Sequence, residues 1–283
     1  MNTRTRVALL MIPPTLLLLF FLVLPMLVMA SFTVREGSFG AARQRFSLEH
    51  YQAFLQNTAF HHLLLRTVLI SLETSIYCVI LSYPVAYYLA FHAGPKRIAL
   101  LTLILAPAWT SFLLRVLAWK LILGSEGVLS SLLVSLRLMP EPRPILLYSR
   151  GAVIIALVYS WIPFVALPIF AALDRIDRHL LEAAADLGCP PWQTFLRVTL
   201  PLSLPGVAAG FAFVFIPTLG EWVTPALVGG VKGVMYGNII QDQFARALNW
   251  PMGSLMSFVM LLLMLILVLA FGRSTQLMTM EGS

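Results

Sequence analysis

Two carboxylates, Glu73 and Glu221, stand inside long apolar runs of the chain. A carboxylate at the depth of a bilayer costs about 2.5–3.5 kcal/mol on insertion scales. An ammonium about 4 Å away returns roughly 4 kcal/mol at an effective dielectric of 20. Glu221 lies between Pro217 and Pro225, where a helix is expected to break and backbone polar groups to line a cavity. Its chemistry would be the reception of something positive, and the adjacent Trp222 offers a cation–π face worth about 0.5–2 kcal/mol. Glu73 follows the same logic, with a structural ion pair to Arg66 or Arg115 as the alternative. His61 and His62 are neighbours that point about 100° apart on a helix, so they share no ligand position and no metal site is expected. No grouping of Ser, His and acid suggests a buried nucleophile. The glycine cluster Gly229-Gly230-Val231-Lys232-Gly233 lacks the spacing and the Ser or Thr of a phosphate loop.

A second pattern is mechanical rather than chemical. Glu182-Ala183-Ala184 is followed after three residues by Gly188 and, after nine more, by Val198-Thr199-Leu200-Pro201. Asp177 is suited to cap a helix start. Leu180, Leu181, Ala184 and Leu187 make an apolar stripe, and Ala183 to Ala185 give a smooth surface that another protein can approach closely. Gly188 supplies a left-handed turn that ends the helix. Pro190 and Pro191 then open a second short helix carrying Trp192 and Phe195, and Pro201 and Pro205 lead into an apolar run.

The elements that hold these residues follow from the solvent. The chain has 59% apolar and 11% charged residues, against the roughly one quarter charged of a soluble domain. Charge-free runs of about 20 residues match bilayer hydrocarbon. Six spans are expected, at residues 7–32, 63–91, 98–123, 151–173, 204–227 and 251–271. The first exceeds a signal-peptide core and is read as a retained span. In the third, Arg115 and Lys120 are expected to snorkel to the interface, with Trp109 and Trp119 near its ends. The outward loops 34–62, with Arg35, Arg43, Arg45 and Glu49, and 124–150, with Pro140, Pro142 and Pro144, are expected to hold short interfacial helices. The net charge of +7 is scattered through connections and forms no basic stripe, which excludes nucleic acid. Cys78 and Cys189 are expected to be free thiols. Lys and Arg are nearly balanced across the membrane, and Arg4 and Arg6 before the first span place both termini in the cytoplasm.

The Glu182-to-Pro201 pattern resembles the cytoplasmic loop motif of inner-membrane permeases of ATP-binding-cassette importers, in which Val198 stands for the usual Ile. The softer stretches Ala106-Pro107-Ala108-Trp109-Thr110-Ser111 with Arg115, Gly220-Glu221-Trp222-Val223-Thr224-Pro225 and Asn249-Trp250-Pro251 are similar to permeases of the polyamine (spermidine/putrescine) type. Asn249 stands where related polyamine permeases often carry Asp. The resemblance implies an all-α integral membrane chain with the type I importer permease fold. It would be one permease domain over 1–283, with its core at 63–272, an N-terminal span at 7–32 and a coupling loop at 174–204. It also implies that Glu182, Ala183, Ala184, Asp186, Leu187 and Gly188 meet an ATPase subunit, and that Glu221, Trp222, Glu73 and Trp109 line the substrate pathway. The chain would hold no cofactor, with ATP and Mg on two partner ATPases. A second homologous permease, making a heterodimer, and a periplasmic binding protein would complete a multi-pass assembly in lipid of the bacterial inner membrane. Permeases for opines, amino-acid derivatives and other small solutes look similar. A secondary transporter driven by an ion gradient is the rival from another class, and it would want acids paired across repeats.

Overall fold

The computed structural model describes residues 3–38, 40 and 45–280; side chains are described for residues 10–38, 40, 45–270 and 272. Arg43 lies outside the described residues, as do the side chains of Arg4, Arg6 and Arg273. Among the described residues the chain is helical, with one isolated bridge between Arg35 and Phe46. Six helices among the described residues are long and apolar enough to cross a membrane: Leu10–Thr33, Thr58–Phe91, Phe112–Ser135, Arg150–Asp174, Pro191–Leu219 and Trp250–Ala270.

Four of these match the expected spans, and two are shifted for identifiable reasons. The expected third span at 98–123 is broken into α4 (Arg97–Leu105), a 3₁₀ turn at Ala106–Trp109 and α5 (Phe112–Leu123), after which α6 (Val128–Ser135) follows. Pro107 has no N–H to continue the helix, and Thr110 turns extended at ψ 155°. The fifth span ends eight residues early because α10 (Leu200–Leu219) stops at Gly220. It also begins earlier, at α9 (Pro191–Thr194), which joins α10 through a π turn at Phe195–Thr199. In a regular helix the Pro201 ring would strike the carbonyl of Arg197, and the wider π turn occupies that spot.

Contacts divide the chain into two compact units, Met1–His61 with Ile239–Leu263 and His62–Asn238 with Met264–Ser283. In the first, α1 (Thr3–Thr33) leads to a short α2 (Glu49–Gln56), where Phe54 stacks on Phe60 and meets His61 edge-on. There the Ser38 hydroxyl donates to the Leu248 carbonyl at 2.5 Å, and the Trp250 ring is met by Phe32 and Phe244.

The second unit is built on α3 (Thr58–Phe91), α7 (Arg150–Asp174) and α10. One seam of α3 is small and polar: Thr67, Ser71, Thr74, Ser75, Cys78, Ser82, Ala86 and Ala90 are all buried. The Cys78 thiol and the Ser82 hydroxyl donate to the α7 carbonyls of Val158 (3.7 Å) and Ile162 (3.2 Å). Water-driven association is unavailable in lipid, so small side chains and cross-helix hydrogen bonds hold such helices together. Arg115 is buried rather than snorkelling: its guanidinium donates to the Ser160 carbonyl at 3.0 Å and lies over the Phe112 ring.

Candidate functional site

The elbow between α7 and α10 begins with α8 (Arg178–Asp186), and its caps are those expected. The Asp177 carboxylate accepts the His179 N–H at 3.0 Å. At the other end Gly188 has φ +78°, its N–H reaches the Ala185 carbonyl (2.9 Å), and the Cys189 N–H reaches Ala184 (3.0 Å). These two bonds are the paired 5→2 and 6→1 closures of a Schellman turn, which needs a left-handed residue at that position.

The stripe on α8 does not all face inward. Ala184 is buried and Leu181 half-buried, but Leu180 and Leu187 are exposed, Leu187 at 84%. Glu182, Ala183 and Asp186 are also exposed, with the Glu182 carboxylate 3.2 Å from His179 Nδ1. Trp192 and Leu196 extend the uncovered apolar surface. The second short helix is not separate, since α9 runs through the π turn into the fifth span. The elbow is fastened at its base: Arg97 pairs with Asp174 at 2.8 Å, and the Arg178 guanidinium reaches the Ala90 carbonyl at 3.5 Å. It is therefore a capped projection, anchored at its base, whose exposed face mixes the carboxylates of Glu182 and Asp186 with Ala183, Leu180 and Leu187.

The residues expected to line a pathway fall into separate settings. Glu221 sits at the break expected between Pro217 and Pro225, but its Oε1 accepts the N–H groups of Val223 (2.8 Å) and Thr224 (3.0 Å). The carboxylate is thus the cap of the next helical turn, and backbone dipoles already offset its charge. Trp222 is 45% exposed, and its carbonyl accepts from the Asn238 amide at 2.7 Å. The segment is closely packed: Gly230, at φ +54°, lies against Tyr148, and the Tyr148 N–H donates to the Val228 carbonyl. Glu73 forms an ion pair with Arg150, not with Arg66 or Arg115. Trp109 is 78% exposed on the 3₁₀ turn that splits the expected third span.

Three features escaped the sequence reading. Gly206 and Gly210, one turn apart, form the close approach of α10 to α7; their small-xxx-small spacing was visible in the sequence. The α3 seam was visible too, as buried Ser, Thr and Cys at helical intervals. The pairing of Arg150 had no local signal, because its partner lies in another helix.

Residues 4–278 match the family described as binding-protein-dependent transport system inner membrane component. The chain is 36% identical over 263 residues to the spermidine/putrescine transport system permease protein PotB of Haemophilus influenzae, covering 92% of this chain and 91% of that protein. PotB of Escherichia coli is 34% identical over 263 residues, covering 92% and 94%. A chain of the bacterial alginate ABC transporter, solved in complex with an alginate pentasaccharide-bound periplasmic protein, superposes with a TM-score of 0.78 at 18% identity. That superposition covers 98% of this chain and 96% of the other, and it shows the fold. A family match over residues 4–278, together with relatives above 30% identity along nearly the whole chain, leads to one conclusion: the chain belongs to the inner-membrane permease family of binding-protein-dependent transport systems.

Proposed function

We propose that this permease forms half of the pathway of an ATP-driven importer for a small cationic solute of the polyamine class, as a single permease domain. The observation that carries the mechanism is the capped elbow with Ala183, Leu180 and Leu187 exposed beside the carboxylates of Glu182 and Asp186. Exposed apolar side chains beside charged ones are what a protein-docking surface presents, and they support this reading. In this reading Glu182, Ala183, Ala184, Asp186, Leu187 and Gly188 meet a cytoplasmic ATPase subunit, both termini are cytoplasmic, and ATP with Mg is held by the two ATPases. Closure of those subunits moves the elbow, and the elbow moves the helices rigidly fastened to it. A second homologous permease supplies the other half of the pathway, and a periplasmic binding protein delivers the solute. The substrate class is supported by the PotB relatives, which are named for spermidine and putrescine. On this side of the pathway Glu221, Trp222, Glu73 and Trp109 are the residues assigned to the solute.

One observation favours a second reading, a less highly charged solute such as an opine or amino-acid derivative. Both intramembrane carboxylates already have partners, Glu73 in Arg150 and Glu221 in two backbone N–H groups.

Uptake of labelled spermidine and putrescine by proteoliposomes holding the complete importer separates these readings. Saturable uptake is expected that requires the binding protein and internal ATP and survives ionophores that collapse proton and sodium gradients. Polyamine uptake that is absent while an amino-acid derivative enters would favour the second solute class. Uptake that follows the ion gradient without ATP would overturn the importer mechanism.

A further inference from the structure

The elbow touches more than the fifth span that it begins. Phe195, the first residue of the π turn, meets two rings of α3 edge-to-face, Tyr83 at 5.7 Å and 89° and Tyr87 at 5.9 Å and 76°. Tyr83 and Tyr87 are four residues apart and so stand on one face of α3 in successive turns. The Tyr83 hydroxyl is also 2.9 Å from the hydroxyl of Ser203, a fully buried residue of α10. One tyrosine of the second span therefore grips the chain on both sides of the π turn, at Phe195 before Pro201 and at Ser203 after it.

This placement has a mechanical consequence. A π turn next to a proline is the weak point of a helix, because Pro201 has no N–H to bond back across it and the ladder is interrupted there. Force applied to the elbow could be lost there as local bending. With Tyr83 bridging the turn, bending requires separating Phe195 from the α3 rings or breaking the contact to Ser203. Holding α3 against α7 does not require the clamp, since the small-residue seam with Cys78 and Ser82 already does so.

We propose that Phe195, Tyr83 and Tyr87 form an aromatic clamp that splints the π turn and couples elbow movement to α3, making them positioning residues for transport. The proposal rests on the elbow being the site where the ATPase drives the permease. It is tested in proteoliposomes carrying the complete importer, by measuring ATP hydrolysed per solute imported. Tyr83→Phe removes only the hydroxyl, and Phe195→Leu keeps apolar bulk but loses the ring edge.

Both variants are expected to assemble, with import per ATP reduced about fivefold for Tyr83→Phe, the factor associated with one hydrogen bond. Phe195→Tyr, which keeps the ring, should restore the ratio lost in Phe195→Leu. An unchanged ratio in both variants overturns the clamp, and so does loss of assembly in both, which would mean that the rings serve folding alone. Gly188→Val separates the two levels of the argument. If it uncouples while the clamp variants do not, only the clamp fails; if it also leaves the ratio unchanged, the elbow reading itself has failed.

Discussion

Replacing Gly206 with leucine is expected to leave no stably folded permease in detergent, and Gly206→Ala is expected to lower the unfolding temperature markedly. A Cβ at this position would lie 2.4 Å from the Ala172 Cβ and 2.6 Å from the Pro168 carbonyl oxygen. Neither neighbour can swing aside, because one is fixed to its backbone and the other is backbone. Inserting atoms into a packed interior costs about 1–3 kcal/mol and occasionally more, and here α7 and α10 would have to separate along their whole contact. Gly210 is a graded control. Its Cβ would stand 3.1 Å from Val165 Cγ1 and 3.3 Å from the Val165 carbonyl, so Gly210→Ala should be distinctly milder than Gly206→Ala. Fluorescence-detected thermal unfolding of the purified complex ranks these variants, and equal stability of Gly206→Leu and the parent would contradict the described helix contact.

The second large effect is on coupling rather than folding. Gly188→Val should be inserted and assembled yet import poorly. No atom lies within 4 Å of the site where its Cβ would be, so crowding is not the obstacle. The obstacle is φ +78°, a left-handed conformation that costs a side-chain-bearing residue about 1–2 kcal/mol. That penalty corresponds to roughly a 5- to 30-fold loss of the closed elbow conformation, with import falling in proportion. Asparagine tolerates the left-handed region, so Gly188→Asn should retain most transport. If valine and asparagine behave alike at position 188, backbone conformation there does not govern coupling.

Local features of the elbow were readable before the structure because they depend on neighbours in sequence. Asp177 caps a helix two residues away, and Gly188 closes a turn within five. Four spans were equally legible, since hydrocarbon thickness sets their length. The shifted spans failed where apolar length outweighed stereochemistry: Pro107 breaks one apolar run, and the break expected between Pro217 and Pro225 was still counted inside the fifth span. Non-local facts lay further out of reach. That Glu73 pairs with Arg150, that Arg115 is buried against Ser160 and that Glu221 caps its own following turn depends on which helices meet or where a turn restarts. Glu221 shows how such a setting alters chemistry, because the charge that seemed to await a cation already has two backbone donors.

The central claim is that the elbow faces the cytosol and carries an ATPase. Its most direct test is a single cysteine at Ala183→Cys, in a chain whose native Cys78 and Cys189 have been changed to serine, within the assembled importer. The account predicts that a membrane-impermeant maleimide labels this cysteine in inside-out vesicles but not in intact spheroplasts. It also predicts a crosslink to the ATPase subunit whose yield changes when ATP binds. Labelling from the periplasmic side, or no crosslink to the ATPase in either nucleotide state, would contradict it.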